Sequence, residues 1–407
     1  MDGFTRPPKR RALEQKTPAR TTLNRVEPRQ PKQPPVTTEP FGELPTPKLT
    51  SIKSRFSLPK PHGKLQWGLF AAACLVLLSG ASYAVYAIFW PEPEPIALIE
   101  PTPTPEPEPA PEPTTIASRM SGREIDKNTA IKPIYAVQIE NSPEARPQSG
   151  LREADIISEA IAEGGITRFN ALFHDNIPQN VGPIRSLRPY YIDWFLPYNA
   201  PIVHAGGSAE ALSDIRTLRI QDMDNTAGYF RRVNNRYAPH NLYSTGPQLL
   251  ELFTARGYKN ADPIPSLPRK VATPAETPTA SVINLKISST LYNVVFTYDK
   301  TSNSYLRNQG GSAHVDAESG QQLAPNVVIV PILTKGIHPN RVNTQYGTVG
   351  SGEVFVFQDG IVTKGTWTKS SRSSQWQLTD TNGAVIALNP GQTWFSILDK
   401  AASVTYQ

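Results

Sequence analysis

The sequence predicts an α+β fold: an N-terminal mixed α/β domain and a C-terminal mainly-β domain, preceded by a disordered tail and one transmembrane helix. Three observations lead there. Over residues 133–260, period-two apolar runs alternate with runs of helical period, as strands packed with helices do. Over 281–407, short β-branched and aromatic runs are separated by glycine turn signals, the mark of a mainly-β region. Before residue 115 the chain concentrates most of its 41 prolines, where a chain of average composition has about 5%.

Residues 1–64 hold few large apolar side chains and many Lys and Arg. Such a segment cannot bury enough surface to offset its chain entropy, which predicts a disordered, basic cytoplasmic tail. A topology signal with a flexible arm is the plainer reading of it. Anionic lipid is a second partner that it suits, and nucleic acid an unlikely one. Residues 65–90, LQWGLFAAACLVLLSGASYAVYAIFW, contain no Asp, Glu, Lys or Arg and are long enough to span a bilayer. Lys53, Arg55, Lys60 and Lys64 precede them, and Glu92, Glu94 and Glu100 follow. This bias places the N-terminus in the cytoplasm and the remainder outside the cell. Residues 91–118 form a Pro/Glu-rich stalk of polyproline character. The single cysteine, Cys74, lies mid-span, which argues against lipidation there and rules out an intrachain disulfide or a four-cysteine zinc site.

The α/β domain is expected over 119–260. Strands are read at Pro133–Ile139, Thr167–Phe173 and Pro201–His204, and helices at Glu153–Ala162, Pro189–Phe195, Ala209–Thr217 and Pro247–Arg256. Ser208 is placed to cap the third of these helices, and Gly257 to stop the fourth. Residues 261–280, rich in Pro, Ala and Thr, read as a linker. Beyond them, strands are expected at 293–298, 326–333, 354–357 and 384–388, with hairpin signals at Asp359-Gly360 and Asn382-Gly383.

Candidate chemistry concentrates in the first domain. From Asn141 to Tyr258 it uses eleven arginines and no lysine. Arginine's planar fork suits carboxylate or phosphate, so either internal pairing with acids or an anion site accounts for this choice. Five segments read as ligand loops: Glu140-Asn141 with Arg146 to Gly150, Glu163 to Arg168, Gly182 to Pro189, His204 to Ser208 with Gly206 and Gly207, and Arg236 to Asn241. The candidate ligand contacts are Asn141, Arg146, Arg168, Arg185, Ser186, Arg188, Gly206, Gly207 and Asn241. The candidate acid/base residues are Glu159, Glu163, His204 and His240. A metal held by His204, His240 and a carboxylate lacks supporting spacing, as does a Ser-His-Asp arrangement on Ser186 or Ser208. There is neither a Walker loop nor a Rossmann fingerprint, and no cofactor is expected. The aromatic set Tyr190, Tyr191, Trp194, Phe195 and Tyr198 reads as core.

The strings IENSPEARPQSGLREADIISEAIAEGGITRF, VGPIRSLRPYYIDW, VHAGGS and APHNLY, with GTWTKSSRSSQWQLTDTNGAVIALNPGQTWFSIL near the C-terminus, resemble the YerB family of bacterial cell-surface lipoproteins. The resemblance covers about residues 125–407. It implies an extracytoplasmic, two-domain, membrane-attached protein, and it implies no established reaction. Two features depart from the family: a hydrophobic span preceded by a long tail replaces the lipidated cysteine, and Glu140 stands where Asp is more usual. The function expected is envelope binding or scaffolding, with Arg146, Arg168, Arg185, Arg188 and His240 contacting an anionic wall component or a wall-synthesis protein. The competing expectation is an envelope hydrolase or transferase using a Glu/His pair. The sequence leaves the oligomeric state open.

Overall fold

A computed structural model describes residues 64–89, 113–130, 132–340 and 342–407. The expected tail and most of the stalk lie outside the described residues. The chain divides into two units, 1–106 and 107–407. In the first, the segment read as a span is the 26-residue helix α1, Lys64–Phe89. Among the described residues, no helix is long and apolar enough to cross a membrane.

The second unit begins with a small hairpin of β1 (Thr115–Ala117) and β2 (Glu124–Asp126). Next come β3 (Tyr135–Glu140), β4 (Ile156–Glu163), β5 (Ile166–Phe173), α2 (Pro189–Phe195), β6 (Ile202–His204), α3 (Ala209–Thr217) and β7 (Asp222–Asp224). A short pair, β8 (Arg231–Arg232) and β9 (Leu242–Tyr243), leads to α4 (Gly246–Ala255). The C-terminal half adds β10 (Val282–Leu285), β11 (Val294–Asp299), β12 (Ser304–Gln309), β13 (Ser312–Ala313), β14 (Val327–Pro331), β15 (Lys335–Ile337) and β16 (Thr344–Tyr346). It ends with β17 (Gly350–Gln358), β18 (Ile361–Lys369), β19 (Gln377–Asp380), β20 (Thr393–Ser396) and β21 (Val404–Tyr406).

The two halves build one sheet. Ten strands run in the order β19-β18-β17-β14-β20-β4-β5-β3-β6-β7. The halves meet where β20 pairs in parallel with β4, Trp394 opposite Ile157 and Ser396 opposite Glu159. Alternate residues of these strands feed apolar cores on opposite faces: Ile156 and Ala160 on one, Ile157 and Ile161 on the other. Both cores draw on both halves. The second core also takes in residues of a five-stranded sheet, β13-β12-β11-β10-β21. The segment 261–280 contains no helix or strand, yet Ile264, Leu267 and Ala280 are buried. It is a strap packed along the body rather than a free spacer.

Two expected elements are corrected. Residues 384–388 form no strand, making only isolated bridges from Val385 to Thr379 and from Leu388 to Arg269. Glu153–Ala162 is no helix; its apolar residues form β4, buried along almost its whole length. A strand covered on both faces loses the polar alternation that would reveal it, and its Ile-Ile and Ala-Ile pairs then imitate helical spacing. The other helices stand close to their expected positions. Ser208 caps α3 by accepting the Ala211 amide, and Gly257 follows α4 at positive φ. The aromatic set of α2 is buried.

A buried ion pair crosses the interior between the halves. Arg307 on β12 donates through Nη2 to Glu159 Oε2 on β4 at 2.8 Å, with both side chains fully buried. Trp394 Nε1 donates to the same oxygen at 3.2 Å, while Thr167 donates to Oε1 at 3.1 Å. The Arg307 guanidinium lies 4.5 Å from the centre of the Trp394 ring. Removing one member strands the other charge. Arg307→Met should therefore cost about 3–5 kcal/mol in urea unfolding, and Glu159→Leu added to it should recover much of that loss.

Candidate functional site

β3, β6 and β7 run parallel, so their carboxyl ends share one edge. In open α/β sheets ligands bind beyond such an edge, where neighbouring strands part. Here β3 and β6 pair at Ala136–Ile202 and Val137–Val203 and then separate. The segment 183–187 enters the gap. Glu140 N donates to Pro183 O, and Arg185 N to Gln138 O, each at 2.9 Å. On the other side, Ala205 N donates to Arg185 O at 3.1 Å, and Leu187 N to Gly206 O at 2.9 Å. Gly182 makes this entry possible: its φ is +150°, and a Cβ there would stand 2.8 Å from Leu242 O. The crevice is thus filled by the chain itself.

That filling decides the fate of most expected site residues. Glu163 receives Arg188 through Nη2 at 2.8 Å and Nε at 3.1 Å, and Arg168 on the same carboxylate. Arg168 also donates to the Ser186 carbonyl at 2.8 Å; no side-chain bond of Ser186 is present among the described contacts. Glu159 is consumed by the buried pair. His204 is fully buried, with Nδ1 at 2.8 Å from Gly206 O and Nε2 at 2.8 Å from Asp222 Oδ1. The Gly206 amide donates to Asp224 at 2.9 Å, and Gly207 bridges Leu187. Asn241 clips its own loop, donating to Val233 O and Arg236 O and accepting from Arg232. Asn141 donates to Thr167 and accepts from Arg146 and Gln148. Among the described residues, neither Glu159 nor Glu163 meets a histidine. The expected acid/base pairing of these carboxylates with His204 or His240 is therefore not formed. Nor does any group of three metal-ligating side chains come together among the described residues.

The absence of lysine now has a physical reason. Arg146, Arg152, Arg168, Arg188, Arg236 and Arg256 each donate to a backbone carbonyl, at Asn141, Gln322, Ser186, Leu187, Glu144 with Pro147, and Asp222. A forked, permanently charged donor holds loop carbonyls in directions that one ammonium cannot.

One constellation remains open to a ligand. Three of the five candidate loops converge at the end of β3, around Glu140. His240 Nδ1 lies 3.0 Å from Glu140 Oε1, and Arg185 Nε lies 3.3 Å from the same oxygen. Ser142 Oγ is 3.2 Å from His240 Nδ1. Arg236 holds the His240 loop against residues 144–147. The Glu140 side chain is 5% exposed, while His240 is 23% and Arg185 27% exposed. A carboxylate at Nδ1 draws the imidazole proton there and leaves Nε2 outward. Because Ser142 also sits at Nδ1, it is not placed as a nucleophile beside a base. Both loops were singled out in the sequence, but the pairing of Glu140 with His240 was not legible there, since one hundred residues separate them. Arg307 was more legible: period two along β12 sets Tyr305, Arg307 and Gln309 on the buried face, and a charge at an inward position calls for a partner.

Residues 120–259 match the N-terminal domain, and residues 283–395 the C-terminal domain, of a protein family of unknown function, DUF3048. A protein of Bacillus subtilis (strain 168) named "Putative lipoprotein YerB" is 29% identical over 295 residues, 70% of this chain and 88% of its own length. The crystal structure of YerB protein from Bacillus subtilis matches with a TM-score of 0.66 and 25% identity, over 72% of this chain and 99% of that one. The chain belongs to the YerB family. The two domains of that family are the two halves joined here across β4 and β20.

Two buried histidines give the fold opposite responses to pH. Burial alone would lower the His204 pKa, but Asp222, the Gly206 carbonyl and Asp224 outweigh it and raise it above 6.5. Its contribution is complete below about pH 6.5 and is lost as pH rises through the folded value. His314 is pushed well below 6.5 by burial and then by Arg307, so its contribution is lost as pH falls below about 6.5. Urea midpoints measured from pH 5 to 9 should fall toward both ends. His204→Asn should flatten the alkaline limb, and His314→Asn the acid limb.

Proposed function

We propose that this YerB-family chain is a membrane-tethered binding module of the bacterial envelope, and that it takes an anionic envelope component at the loop junction around Glu140. The observation that carries the reading is the incomplete use of an arginine and a histidine. Arg185 and His240 share one oxygen of Glu140, yet Arg185 Nη1 and Nη2 and His240 Nε2 have no internal partner among the described contacts. The free Nη groups of Arg185, beside a buried carboxylate, suit a phosphate or carboxylate oxygen, and His240 adds a donor at Nε2 when its ring carries both protons. Of the five contacts expected from sequence, Arg168 and Arg188 serve Glu163, and Arg146 serves the Asn141 loop. The reading narrows to Arg185 and His240.

Tethering is assigned to α1 and the residues around it. Lys64 opens α1, no other charged residue follows within it, and the large apolar side chains from Leu75 to Leu78 are exposed. The 26 residues of α1 rise about 39 Å against a hydrocarbon core of about 30 Å. The described helix falls short of a span in length and apolarity taken together, and it is the uncharged run 65–90 of the sequence that supports crossing. Basic residues before it and acidic ones after it favour a cytoplasmic N-terminus and an extracellular folded unit. The lipoprotein name of the Bacillus subtilis relative supports membrane attachment.

The hydrolase or transferase reading keeps one supporting observation, the orientation of His240 by Glu140, which leaves Nε2 as a possible base. One experiment addresses both. The full chain, extracted from the membrane fraction in detergent, is tested against wall fragments that retain or lack their phosphate polymers. Binding should require the polymers and weaken about tenfold, or 1.4 kcal/mol, in Arg185→Gln and in His240→Gln. Equal binding of stripped fragments, or unchanged binding in both variants, contradicts the anion site. Recovery of the chain in the soluble fraction contradicts the tether, and release of fragment products by wild type but not His240→Gln favours the enzyme.

A further inference from the structure

We propose that the cleft between Arg123 and Arg152 is a second binding site, and that it takes an acidic saccharide chain. The cleft has a volume of about 590 Å³, within the usual range of ligand pockets. Arg123 and Arg152 come from the first half of the folded unit, and most of the remaining wall comes from the second. No acidic residue lines it.

Its polar groups are fixed in direction. Gln322 donates through Nε2 to Arg307 O at 2.9 Å and Asn308 Oδ1 at 3.2 Å. Gln392 donates through Nε2 to Leu151 O at 2.9 Å and Ala154 O at 2.7 Å. Both amide nitrogens are committed, and the oxygens remain as acceptors without an internal partner among the described contacts. Arg152 commits only Nη1, to Gln322 O at 2.9 Å. The Arg123 guanidinium has no internal hydrogen bond among the described contacts.

The wall therefore offers charged donors beside rigid neutral acceptors, with Leu306 as an apolar surface. Inorganic phosphate, with at most two P–OH donors at neutral pH, is too small to meet both arginines and both amide oxygens across a cleft of this volume. Sugar hydroxyls both donate and accept, and a ring carboxylate meets the guanidinium fork. A hydroxyl-rich chain bearing carboxylates uses the whole set. This site is separate from the Arg185–His240 junction and does not depend on it.

The test is calorimetric titration of the full chain in detergent with an oligogalacturonate, a neutral malto-oligosaccharide of equal length, and inorganic phosphate. The acidic oligosaccharide should bind, and Arg123→Ala should weaken it about tenfold, with Arg123→Ala/Arg152→Ala abolishing it. The Arg123 guanidinium makes no internal hydrogen bond among the described contacts and meets Asp155 through charge alone, so the single variant should stay folded and remain interpretable even if the double variant unfolds. Arg185→Gln should leave this binding unchanged. Absence of binding, equal binding of the neutral chain, equally tight binding of phosphate, or an unchanged affinity in Arg123→Ala would each overturn the proposal.

Discussion

The contact between Arg307 and Glu159 sets the terms for the rest of the fold. Both side chains are fully buried, and taking two charges out of water costs several kcal/mol each before their attraction repays it. The interior has been arranged to repay it. Glu159 accepts from Arg307, Trp394 and Thr167, and Arg307 also donates to Gln309 and meets His314. Such a pair adds little net stability over an apolar replacement. What it supplies is registration: β4 from one half and β12 from the other must stand in one relation for the charges to be met. β20, carrying Trp394 beside β4, belongs to the same lock. Arg372 makes a second tie, joining Asp193 and Asp214 of the first half at 2.6 Å each.

This dependence explains what was legible in the sequence. Local signals carried the ends of elements: the Ser208 cap, the Gly257 stop and the proline at the start of α2 are all short-range physics. β5, β6 and α3 followed from their own periodicity. β4 did not, because burial on both faces erases the polar alternation that marks a strand, and that burial is a property of its neighbours β5 and β20. The strap over 261–280 reads as a linker for a similar reason. Its composition carries no periodicity, and its packing depends on distant partners such as Leu388 and Asn389.

The candidate site shows the same division. An arginine-rich, lysine-free domain was plain in the sequence, but the choice between internal pairing and ligand binding was not. The folded chain settles most arginines on loop carbonyls and on Glu163. What stays available is a small remainder at the end of β3, where Glu140 gathers Arg185 and His240 from loops far apart in sequence. The insertion of 183–187 between β3 and β6 produces both results. It closes the expected crevice and carries Arg185 to the rim.

The shared ten-stranded sheet and the buried Arg307–Glu159 pair make the two family domains one cooperative body. Native-state hydrogen exchange of the full chain under increasing denaturant tests this most directly. The slowest amides of β3 and β5 in the first half, and of β11, β12 and β14 in the second, should converge on one opening free energy and one denaturant dependence. Exchange of either half through a separate, lower-energy opening, while the other stays protected, would mean that the two domains are not one cooperative body.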